Sequence, residues 1–150
     1  MWRAGRSKEE LNPILKRANA AMPDPGGRLV SVKALLVVAK NFVVMGDTDA
    51  ACAMYVNAYE KPPDLANRTE WHQSPHLLNN VAMCDIRAAY HMGPEEAQPF
   101  HERALHCLES AVHEARARAK GAVIHSAETN LHEYHKYRAN GGAYEGHLMW

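Results

Sequence analysis

Residues 32–65 read VKALLVVAKNFVVMGDTDAACAMYVNAYEKPPDL, and the fold class turns on whether this stretch makes helices or strands. Leu35, Val38, Ala39 and Phe42 recur at three- and four-residue intervals, the spacing of one helix face, and Val37, Val43 and Val44 widen the stripe. The β-branched residues lower helix preference and leave a strand as the competing reading. Length decides for helix, because a run over 31–45 is far longer than the usual strand of about 5–6 residues. Gly46-Asp47 closes that element, Asp47 or Thr48 can cap the next, and Ala51, Met54, Tyr55 and Ala58 share a face before Pro62 ends it. Small Ala39, Ala51 and Ala58 allow two helix axes to approach to roughly 8–10 Å, with Leu35, Phe42 and Tyr55 filling the space beside them.

Working outward, glycine and proline punctuate the chain at Pro23 to Gly27, Pro62-Pro63, Gly93-Pro94 and Gly141-Gly142, and the intervals have helical length. The expectation is an all-α protein. Ser7 with Glu10 has capping-box spacing, and Asn12 followed by Pro13 is an equally good start for a first short helix ending near Met22. The organisation expected is an N-terminal arm and short helix (1–28), a helix pair (29–65), a linker (66–75), a second, extended helix pair (76–120), a capping helix (121–140) and a tail (141–150). A chain of 150 residues makes one domain with one core the default.

The order Leu35, Val38, Ala39, Phe42, Gly46, Ala51, Tyr55, Ala58, Pro63 resembles a tetratricopeptide (TPR) unit, with Leu35 in its tryptophan slot and Ala39 in its glycine slot. Leu78-Asn79-Asn80-Val81-Ala82 and the run from Glu96 to Leu105 are similar to segments of kinesin-light-chain-type TPRs. The second pair departs from the pattern: Asp85 stands in an aromatic slot, three extra residues separate Ala82 from Ala97, and no proline follows Ala104. Its helices should therefore be longer than those of the first pair. The resemblance implies a short right-handed superhelix of stacked helix pairs with capping helices. It also implies a concave groove lined by the first helix of each pair, which places Lys33, Leu36, Lys40, Asn79, Asn80 and Met83 on a partner-facing surface. Asn79 and Asn80 carry both donors and an acceptor and can hold an extended peptide backbone, or else stitch neighbouring helices together. Trp71, the largest apolar side chain in a polar linker, together with Trp2 and Trp150 near the chain ends, is a candidate anchor for a partner, the alternative being that these rings cover the domain's own ends.

Composition narrows the function classes. Lys plus Arg (17) equals Asp plus Glu (17), so no overall field attracts nucleic acid or anionic lipid. The apolar run from Ala34 to Ala39 is too short to cross a bilayer, and no secretory signal opens the chain. Cys52, Cys84 and Cys107 read as buried free thiols, which points to an intracellular location, cytoplasmic rather than mitochondrial. No Ser or Cys nucleophile motif and no phosphate-cradling glycine loop is present, so no cofactor is expected.

Ten histidines stand out. His106, His113, His125 and His132 could face one another across two antiparallel helices as a metal site, which makes a His-rich metal-binding helical protein the alternative reading. Their spacing from Glu102, Glu109 and Glu128 equally suits exposed i to i+4 pairs, and no metal-binding motif accompanies them. The function expected is a non-catalytic adaptor or small structural subunit that binds a protein or peptide within a larger assembly, with self-association open to it.

Overall fold

The structure, a computed structural model, describes residues 7–20, 32–62, 68–118 and 121–140, without the side chains of Lys8, Asn19, Arg68 and Asn140. Every regular element among the described residues is helical: α1 (Lys8–Ala20), α2 (Val32–Val44), α3 (Thr48–Glu60), α4 (Arg68–His72), α5 (Pro75–Tyr90), α6 (Pro94–Ala117) and α7 (Gly121–Asn140). The all-α expectation holds. Where length argued for a single core, the chain divides into two compact units, Met1–His72 and Gln73–Trp150. The expected arm at 1–6, the break at Pro23 to Gly27, Pro63, Gly141-Gly142, the tail at 141–150, and Trp2 and Trp150 lie outside the described residues.

In the first unit the start of α1 is set by Ser7, whose carbonyl accepts from the Leu11 N–H at 3.0 Å and whose hydroxyl accepts from the Glu10 N–H at 3.3 Å. Leu11, Ile14 and Ala18, on one face of α1, are buried, and α1 packs on α3. The α2 terminus is a glycine-based stop: Gly46 adopts φ +82°, its N–H bonds the Val43 carbonyl at 3.0 Å, and the Asp47 N–H reaches back to Phe42 at 2.8 Å. Asp47 then caps α3, accepting from the Ala50 N–H at 3.3 Å. The Arg17 Nε and Nη2 groups donate to both of its oxygens at 2.8 and 3.1 Å, tying α1 to the turn. That hydrogen-bonded guanidinium holds the Asp47 carboxyl below the usual carboxylate range. α2 packs on α3, with Leu35, Ala39, Ala51, Tyr55 and Ala58 buried; small residues permit the approach and large ones fill it.

In the second unit Ser74 caps α5, its hydroxyl accepting from the Leu77 N–H at 3.3 Å, and Pro75 occupies the first turn, where its missing N–H costs nothing. α6 packs on both α5 and α7. Ala97, Ala104, Ala111 and Ala115 keep one side of α6 narrow, while Leu77, Leu78, Val81, Met83, Ile86 and Leu108 supply core volume. α5 and α6 have 16 and 24 residues against 13 each in α2 and α3, the lengthening expected from the inserted residues. Cys107 is buried and forms no disulfide. Cys52 and Cys84 are also buried, but each is disulfide-bonded rather than free, so the thiol argument for a reducing compartment falls away. None of the described helices is long and apolar enough to cross a membrane.

Candidate functional site

The residues singled out from the sequence separate by exposure. In the first unit Lys33 and Lys40 of α2 are exposed and Leu36 is half-buried. Trp71, a candidate partner anchor or cover for the domain's own core, lies on the short helix α4 inside what read as a linker, and is 2% exposed, so it packs within its own unit. Its neighbour His72 explains the docking of α4: Nε2–H donates to the Tyr59 carbonyl at 2.8 Å, and the two rings stack with centroids 4.7 Å apart. In the second unit Asn79, Asn80 and Met83 are all buried.

The asparagines form a directed relay. Asn130 of α7 donates from Nδ2 to Asn79 Oδ1 at 2.9 Å, and Asn79 donates from Nδ2 to Asn80 Oδ1 at 3.1 Å. Asn79 and Asn80 each present the amide oxygen to the donor before them in this order. Asn80 is itself 5% exposed. It lines a cleft of about 100 Å³ between α5 and α7, together with His76, Asn79, Ala122, Val123 and Ser126. Asn79 thus stitches α5 to α7, and Asn80 lies beside it at the cleft.

The sequence reading missed His76, Ser126 and the amino-terminal turn of α7 as parts of this cleft. No local signal marks them, because Asn130 and Ser126 come beside Asn79 and Asn80 only through the long return of α6.

A second feature belongs to α2. Its core side carries Val32, Leu35 and Ala39, yet Val37 is 56% exposed and Val44 and Met45 are each 75% exposed. Lys33, Val37, Lys40 and Val44 follow one another at four-, three- and four-residue steps and therefore share the outward side. Residues 32–46 contain no Asp or Glu, so this side is apolar and purely cationic. Val37 and Val44, expected to widen the buried stripe of Leu35 and Ala39, are exposed instead, because at about 100° per residue they fall on the opposite side of the helix.

The remaining polar groups of the second unit hold its helices together. Asp85, with a fully buried side chain, receives Arg103 Nε and Nη2 at 2.7 Å each, which accounts for a carboxylate in the core of this unit. Tyr134 Oη donates to the His101 carbonyl at 3.0 Å and lies 3.1 Å from His101 Nδ1. Its single proton being committed, Nδ1 must carry the hydrogen and donate. Burial, aided by the Arg138 charge, pushes the His101 pKa down, and burial pushes the Tyr134 hydroxyl up to about 12.

His106, His113, His125 and His132 are exposed along α6 and α7. Among the described residues no three His, Cys, Asp or Glu side chains come together in a group able to hold a metal ion. In comparisons with known proteins, no family model matches the chain, no curated protein matches its sequence and no solved structure matches its fold.

Proposed function

We propose that the chain is a non-catalytic adaptor or small structural subunit of a larger assembly, built from TPR-like helix pairs and docking a protein partner on the outward side of α2. The observation that carries this reading is the line of exposed Val37, Val44 and Met45 beside Lys33 and Lys40, without an acidic residue in the same segment. Isolated exposed apolar residues are ordinary; a helix side on which exposed valines and lysines alternate suits a contact surface.

The complementary partner is an amphipathic helix flanked by acidic residues. Its apolar stripe covers Val37 and Val44, and its carboxylates meet the two lysines, an arrangement that favours both capture rate and register. Shifting the contact from the buried Asn79 and Met83 to α2 retains Lys33, Leu36 and Lys40 from the sequence-based surface. No residue of this surface is assigned a catalytic or cofactor-binding role.

The test is quantitative affinity capture with mass spectrometry on wild type, Val37→Glu/Val44→Glu, Lys33→Glu/Lys40→Glu, and Lys136→Glu as a control on the exposed side of α7. Partners lost from both α2 variants and retained by the control support the proposal. Equal recovery by all four proteins refutes it.

A further inference from the structure

We propose that the outward side of α2 docks on the outward side of α6 of a second copy of this chain. The inference rests on the reading of α2 as a docking surface and names one occupant for it.

The first support is the pattern of α6. Glu95, Pro99, Glu102, His106, Glu109 and His113 are exposed and follow one another at alternating four- and three-residue steps, so they lie along one side of the helix. Ala97, Ala104, Leu108 and Ala111 are buried on the other side. Lys33, Val37, Lys40 and Val44 repeat the same alternation on α2. Where α2 places a lysine α6 places a glutamate, and where α2 places a valine α6 places the ring of a proline or histidine. Lys33 and Lys40 stand seven residues apart, as do Glu95 and Glu102, and Glu102 and Glu109. At a rise of about 1.5 Å per residue the charges on both helices are spaced by about 10.5 Å. With the two helices side by side and pointing the same way, both lysines meet carboxylates while Val37 and Val44 meet rings.

The second support is the segregation of charge. The chain as a whole balances 17 basic against 17 acidic residues, so its copies carry no net charge to hold them apart. Residues 32–46 nevertheless contain no Asp or Glu, and the one Lys or Arg between 95 and 113 is Arg103, which is committed to the buried Asp85. Arg116, at the far end of the α6 strip, is paired with Glu128. Among the described residues no cation is ion-paired with Glu95, Glu102 or Glu109, and no carboxylate with Lys33 or Lys40. Each surface therefore offers the charge that the other lacks, which favours encounter and fixes register.

The form of the assembly follows from the two surfaces being different. A heterologous contact leaves one free α2 side and one free α6 side at the ends of every oligomer, so association runs past the dimer or closes into a ring. A single helix pair falls short of the roughly 1,200 Å² of a standard stable interface, so the contact is reversible, and exposed ion pairs make it sensitive to salt.

The experiment is sedimentation velocity of the intact protein over a concentration series, in about 20 mM and about 500 mM sodium chloride. The expected result is a weight-average sedimentation coefficient that rises with concentration at low salt and far less at high salt. Lys33→Glu/Lys40→Glu and Glu102→Lys/Glu109→Lys should each weaken association about tenfold or more. The chain carrying all four substitutions, neutral again and with the charges exchanged, should recover it. Lys61→Glu/Lys136→Glu, which changes net charge as much as the first variant but away from both surfaces, should associate like wild type. Circular dichroism checks that each variant folds, and all the substituted side chains are exposed. A wild type that stays monomeric at low salt overturns the inference, as does association that persists in Lys33→Glu/Lys40→Glu or fails to return in the four-substitution chain. A monomeric wild type whose captured partner is lost on Lys33→Glu/Lys40→Glu substitution overturns the second copy as occupant and keeps α2 as a docking surface, so the two readings fail separately.

Discussion

Replacing Arg103 by methionine removes the guanidinium from Asp85 while keeping much of the aliphatic volume, and the structure sets the size of the effect. The Asp85 side chain is fully buried and takes two charge-assisted hydrogen bonds of 2.7 Å from Arg103. Breaking a buried pair by removing one partner typically costs about 3–5 kcal/mol. The Arg103 side chain is 23% exposed, so water enters as the guanidinium leaves, and the lower end, about 3 kcal/mol, is the appropriate figure. Removing both charges, in Asp85→Leu/Arg103→Met, should recover most of that loss, because two charges no longer have to be desolvated. Urea unfolding followed by circular dichroism, run as a double-mutant cycle, measures the single losses and the coupling between them. An Arg103→Met protein within about 0.5 kcal/mol of wild type, the range of ordinary surface changes, would refute the assignment of this pair as the tie between α5 and α6.

Four further outcomes are expected. Gly46→Ala, at φ +82°, should lose about 1–2 kcal/mol through strain in the left-handed conformation, although a methyl group there meets no neighbour; equal melting temperatures would contradict the turn geometry. Ala51→Trp should destabilise the first unit by about 1–3 kcal/mol or more through overpacking between α2 and α3, with thermal melting as the measurement. Asn130→Ala should cost about 1–3 kcal/mol by removing the buried hydrogen bond from Asn130 to the Asn79 amide oxygen, read in urea unfolding. His101 has a folded-state pKa below its ordinary value near 6.5. Its contribution is therefore fully present above about pH 6.5 and is lost as pH falls toward the lowered folded value, because the unfolded chain takes up the proton first. His101→Phe should flatten the fall in melting temperature across that interval, and an unchanged slope would contradict the burial argument.

What the sequence reveals of this fold follows how local each determinant is. α2 and α3 are legible because their stripes, the Gly46 stop and the Asp47 cap lie within a few residues of one another. The ends of α5 and α6 are legible from Ser74-Pro75 and Gly93-Pro94 for the same reason. Trp71 was misplaced because a polar stretch was read as linker, and the tie that seats α4, His72 on the Tyr59 carbonyl, spans thirteen residues. The amide relay is further from reach, since Asn130 meets Asn79 across 51 positions. Asp85 gave a partial signal: a carboxylate in an apolar slot demands a cation, and Arg103 stands one helix away. The division into two units was hidden because length bounds the number of cores without placing them.

The helix-pair reading also explains why the sequence-based surface had to be redrawn. A TPR-like groove presents the first helix of each pair, yet α5 is buried along most of its length and α2 is not. Lys33 and Lys40 therefore remain at the surface, whereas Asn79 and Met83 serve packing.

Hydrogen–deuterium exchange on the partner complex recovered by affinity capture, compared with the free protein, addresses the α2 surface directly. The account predicts slowed exchange concentrated in residues 36–46, with α6 and α7 unchanged. Protection confined to other helices, with α2 exchanging as it does in the free chain, would contradict it.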